Sequence, residues 1–107
     1  MVEIIISKPA TEQLKEIHSY IKKSSPQNAD HVVEAFIKKI NSIASHPEVG
    51  RPVAISRRGI VRQSKVFKYR MFYCFYQNRI EVIAVYHSSM DIDLDKNVIT
   101  PFNLSDD

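Results

Sequence analysis

The chain's hydrophobic positions follow two rhythms, a period of two at both ends of the domain and a helical period between them. Val2 to Ile6 is a β-branched run that predicts a short strand. Ser7-Lys8-Pro9 follows, a hydroxyl side chain just ahead of a proline. That order suits a helix start, because the hydroxyl can accept from an orphan backbone N–H and proline has no N–H to leave unpaired. Ala10, Leu14, Ile17 and Ile21 then recur at spacings of 4, 3 and 4, one apolar stripe along a helix. Ser24-Ser25-Pro26 stops this helix and starts another, with Ser25 as its cap. Ala29, Val33, Phe36, Ile40 and Ile43 repeat the rhythm, and Val32, Ile37 and Ala44 widen the stripe until His46-Pro47 ends it. The spacing predicts helices near 8–23 and 26–45 that form an αα-hairpin needing a flat apolar partner.

The remaining residues supply one. Gly50-Arg51-Pro52 begins a connection, and strands are expected over 60–66, 69–76 and 80–86. The last two flank Gln77-Asn78-Arg79, where Asn tolerates a positive φ, so they predict a tight hairpin. In the final strand Ile80, Val82, Ala84 and Tyr86 are expected on one face, with Glu81, Ile83, Val85 and His87 on the other. Both faces are mostly apolar, which predicts an interior position in the sheet. The fold class is α+β, in the order β-α-α-β-β-β, with the helical hairpin packed on a mainly antiparallel four-stranded sheet. Residues 1–91 form one domain, and 92–107 form an acidic C-terminal tail.

Composition narrows the function classes. One cysteine, Cys74, excludes an intrachain disulfide, and neither of the two glycines stands in a phosphate-binding loop. The four histidines have no metal-ligand spacing, so no metal or cofactor is expected. No apolar run approaches the ~20 residues of a membrane span, and the N-terminus lacks a signal-peptide layout, so the expected location is the cytoplasm.

The net charge of +3 hides a concentrated block. Arg51, Arg57, Arg58, Arg62, Lys65, Lys68, Arg70 and Arg79 face Glu81 alone across residues 51–87, whereas residues 88–107 carry five aspartates against Lys96. Such a block either attracts phosphate or an acidic partner, or is a solvated strand surface guarding against edge association. A ribonuclease working without metal needs a base for the 2′-hydroxyl, cations for the phosphate and an acid for the leaving oxygen. His87 or Tyr86 with Arg62, Lys68 and Arg70 are the candidates for that set; the alternative is a strand-end histidine beside unrelated surface cations.

Successive segments along the chain resemble the ParE/RelE superfamily of bacterial type II toxin–antitoxin toxins, and the ParE branch most. Leu14-Lys15-Glu16-Ile17-His18-Ser19-Tyr20-Ile21 is similar to its first-helix pattern, and Ser25-Pro26 with Ala29 to the opening of its second helix. Pro47-Glu48-Val49-Gly50-Arg51 resembles the close of that helix, Tyr69-Arg70-Met71-Phe72-Tyr73 a family strand, and Ile83 to His87 its last strand. Met90 departs from the pattern, which commonly has Arg three residues after the histidine. The resemblance implies a toxin that inhibits growth by binding a macromolecular target such as DNA gyrase and is neutralised by a cognate antitoxin. Arg51, Arg57, Arg58, Arg62 and Arg70 are then the target- or antitoxin-binding residues. The other branch implies a ribosome-dependent mRNA endoribonuclease, and Met90 leaves a third option, an inactive homologue kept as a binding partner.

Overall fold

The computed structural model describes residues 2–89. The expected acidic tail at 92–107 and the departure at Met90 lie outside the described residues. The elements run β1 (Glu3–Ile6), α1 (Lys8–Lys22), α2 (Pro26–Ser45), β2 (Arg51–Ser56), β3 (Gly59–Val66), β4 (Tyr69–Tyr76) and β5 (Arg79–His87). They build one sheet in the order β1-β5-β4-β3-β2, antiparallel except for the parallel β1–β5 pair. None of the described helices is long and apolar enough to cross a membrane.

Both helices start where their caps place them. The Ser7 hydroxyl accepts from Ala10 N–H at 3.1 Å and the Ser25 hydroxyl from Asn28 N–H at 3.1 Å, each followed by proline in the first turn. The α1 and α2 stripes pack on one sheet face. Ala10, Val32, Phe36, Ile40 and Ile43 join Val66, Met71, Tyr73, Ile80, Val82 and Val85 in the main core, with Leu14, Ile17 and Ile21 at its margin. At the helices' outer side His18 Nε2 meets Asp30 Oδ1 at 2.9 Å, an exposed link between α1 and α2.

The α+β class and element order hold, but the sheet has five strands where four were expected. Residues 51–56, expected to be a connection, pair with β3 as an edge strand. An edge position tolerates Pro52 because no ladder hydrogen bond is asked of it on the solvent side. A register shift between Pro52 and Ala54 bends the strand there. The Tyr76–Arg79 hairpin is as expected, with Gln77 and Asn78 at φ 51° and 60°, the double left-handed pair that a twisted two-residue turn requires.

The second correction concerns β5. Phe72 pairs with Ala84 but Tyr73 pairs with Val82, so Ile83 is an extra residue that reverses the alternation. Ile80 and Val82 therefore share the helix-covered face with Val85, while Ile83 and Ala84 join the opposite face. The helices accommodate this bulge. β1 ends at Ile6, and beyond it the Ser7 hydroxyl donates to Ile83 O at 2.8 Å while Gln13 Oε1 accepts from Val85 N–H at 2.7 Å. Two backbone groups that β1 no longer pairs are thus satisfied by α1.

Candidate functional site

The β5 bulge decides which candidate side chains meet. Arg70 pairs with Tyr86 and Tyr69 with His87 across β4 and β5, so Arg70 and Tyr86 share the face away from the helices, and His87 lies on the helix side. Tyr86 stands edge-on to Phe72, with ring centroids 6.2 Å apart, and the Arg70 guanidinium lies 5.9 Å from the same Phe72 ring. His87 instead meets Tyr69 edge-on at 5.6 Å. Its Nδ1 accepts from Ser89 N–H at 3.1 Å and lies 2.7 Å from the Ser89 hydroxyl, which places the ring proton of the neutral form on Nε2.

His87 and Lys68 do come together. They line a cleft of about 520 Å3 with Tyr20, Val32, Phe67 and Tyr69. Tyr20 is 74% exposed and Phe67, at φ 53° in the β3–β4 turn, is 64% exposed. Burial, and then the neighbouring Tyr20, hold the Tyr69 hydroxyl above the usual phenol range.

Arg62 is elsewhere. It pairs with Tyr73 on the helix side, and its Nη1 donates to the carbonyls of Glu48 at 3.1 Å and Gly50 at 2.9 Å. The Tyr73 hydroxyl donates to Pro47 O at 3.0 Å and accepts from Gly50 N–H at 2.9 Å. The Pro47-Glu48-Val49-Gly50 segment that closes α2 is therefore clamped by one phenol and one guanidinium. Burial raises the Tyr73 pKa, opposed in part by the Gly50 bond, the Arg62 charge and Ser64.

The other cations concentrate on the face away from the helices. Register places Arg51 opposite Gln63, Lys65 opposite Arg70, and Arg79 opposite Tyr76 on that face. Arg58, from the β2–β3 turn, lies 5.5 Å from the Tyr76 ring and donates to Glu81 Oε2 at 2.7 Å. Arg79 Nη2 reaches the same oxygen at 3.4 Å. Arg57 is exposed on the turn beside it. Glu81 is 3% exposed, so its carboxylate depends on these two guanidiniums. The sequence did signal it: a lone acid inside an apolar strand must have a cationic partner. Gln13 carried no comparable signal, since its role exists only because of the bulge.

The model of the "ParE toxin of type II toxin-antitoxin system, parDE" matches residues 4–92. Among solved structures, a chain of the "Chromosomal ParDE TA system from P. aeruginosa" is similar in fold, with a TM-score of 0.67 at 15% identity, over 81% of this chain and 96% of that one. No curated protein sequence matches significantly. With the capped helix pair, the clamped loop closing α2 and a sheet of matching fold inside the matched span, this chain belongs to the ParE toxin family of type II toxin–antitoxin systems.

Proposed function

We infer that this chain inhibits growth in the cytoplasm by binding a macromolecular target, DNA gyrase, without turning over RNA, and that a cognate antitoxin neutralises it. The supporting observation is the division of the ribonuclease candidates. His87 lies on the helix side, Arg70 and Tyr86 on the opposite face, and Arg62 is engaged with backbone carbonyls. No single phosphate can meet all of them. The cations that do share a surface, Arg51, Arg58, Lys65, Arg70 and Arg79, suit recognition of an acidic partner, with Arg57 at their edge. Arg62 then serves the surface indirectly, by holding the loop before β2.

The test is inducible expression of the wild type, Arg70→Gln and His87→Ala, scored for growth, DNA-damage response and transcript cleavage. Wild-type expression should raise the damage response with transcripts intact. Arg70→Gln should relieve growth inhibition, and His87→Ala should have a modest effect. A second reading rests on the cleft that Lys68 and His87 share. It predicts transcript cleavage at the ribosome that falls by ~10²–10⁴ with His87→Ala, and that outcome would replace the gyrase reading.

A further inference from the structure

The β2–β3 and β4–β5 turns project from the same end of the sheet and enclose a polar hollow of about 290 Å3. Arg57, Arg58, Tyr76, Gln77 and Arg79 line it, three guanidiniums, a phenol and a primary amide with no acid among them. Local bonds explain the gathering. The Ser56 hydroxyl accepts from Arg58 N–H at 3.1 Å and donates to Gly59 O at 3.0 Å, which fixes the first turn. Tyr76 and Arg79 pair across the second. Behind the wall the buried Glu81 carboxylate accepts from Arg58 Nη1 at 2.7 Å and holds Arg79 Nη2 at 3.4 Å, both on Oε2, and the Arg58 guanidinium lies 5.5 Å from the Tyr76 ring centre. The Arg79 Nε and the second Glu81 oxygen, Oε1, are buried with no hydrogen-bond partner among the described residues.

We propose that this hollow is a binding site for a phosphate dianion. Two of its guanidiniums are positioned by a carboxylate that does not itself line the hollow, so their geometry is set before a ligand arrives. The five lining residues and Glu81 together carry a formal charge of +2. Inorganic phosphate or a phosphate monoester brings close to the matching charge near neutral pH. A side-chain carboxylate of a protein partner brings one charge and two oxygens, whereas a phosphate monoester offers three oxygens to the forked donors. The Tyr76 phenol and the Gln77 amide add neutral donors to the same walls. Arg79 Nε is a further donor left to satisfy at this wall, and an oxygen-rich anion is the kind of ligand that does so. Guanidiniums stay charged throughout the physiological range, so the site is a permanent one. The hollow lies at one end of the cationic face inferred above to meet the target, but the phosphate assignment does not rest on that reading.

The test is calorimetric titration of the full chain with sodium phosphate at pH ~7.5, above the second phosphate ionisation near 6, with ionic strength held constant by sodium chloride. Wild type is compared with Arg57→Gln, Arg79→Lys and, as a control that removes one exposed charge from α2, Lys38→Gln. Thermal unfolding verifies the fold of each. Wild type should bind saturably. Arg57→Gln changes an exposed turn residue and should weaken binding at least about tenfold, as loss of a charge-assisted hydrogen bond does. Arg79→Lys keeps the charge but loses the planar fork, and should weaken it too. Lys38→Gln should leave the affinity unchanged. Adenosine monophosphate, titrated in the same way, separates the sources: tighter binding than inorganic phosphate assigns the site to a nucleotide, and equal or weaker binding assigns it to free phosphate. Heats that never saturate would overturn the proposal. So would acetate binding as tightly as phosphate, or a loss in Lys38→Gln equal to that in Arg57→Gln. Toxicity and supercoiling play no part in this readout, so the gyrase reading and the phosphate site fail separately.

Discussion

At Gly50 a Cβ would stand 2.6 Å from the Tyr73 hydroxyl oxygen and 2.8 Å from the ring Cε1. The ring is fully buried and fixed at its hydroxyl by Pro47 and Gly50, so it has little room to retreat. Gly50→Ala should therefore destabilise by about 1–3 kcal/mol in denaturant titration, as overpacking does. Tyr73→Phe leaves Gly50 N–H and Pro47 O without their buried partner and should cost a similar ~1–3 kcal/mol. The same phenol gives a pH signature. Its folded pKa is raised above the ordinary 10.0, so the folded state holds the proton more tightly than the unfolded chain. That contribution is complete below pH ~10 and is lost as pH rises through the raised value. Stability of the wild type should fall in this alkaline window, and Tyr73→Phe should flatten part of the fall. The glycine and the tyrosine both stand in segments that the sequence marks as family-like. The contact between them was not legible, because 23 residues separate them and only the sheet brings them together.

At the scale of elements, the helices were readable because their signals are local: a capping serine, a following proline and a stripe at 3-4 spacing. The edge strand Arg51–Ser56 was not, since Pro52 counts against a strand unless the strand is known to lie at an edge. The faces of β5 were misassigned for a different reason. A bulge is a relation between two strands, and nothing within Ile80 to His87 announces that Ile83 has no counterpart on β4. The shift matters for function, because it moves Tyr86 onto the cationic face and His87 to the helix side. Ser7 ties α1 to that bulge as well as capping its own helix. Ser7→Ala should therefore cost about 1–2 kcal/mol, the upper part of the range for a lost cap, measured by thermal or urea unfolding.

Over the whole molecule, charge and fold divide the surface. The α1–α2 side is balanced in charge and buries the main core, while the opposite sheet face gathers most of the basic block over a smaller apolar floor. The concentration of cations between residues 51 and 87 was visible in the sequence. Its division was not, because Arg62 and Lys68 leave the shared face only once strand register and turn are set. Binding of gyrase through this surface is the mode of action proposed for the chain. It is tested most directly by adding the purified chain to purified gyrase and relaxed plasmid, and following supercoiling. Supercoiling should be lost as the chain is added, and should recover with Arg70→Gln but not with His87→Ala. Supercoiling that continues unchanged beside the folded wild-type chain would contradict it.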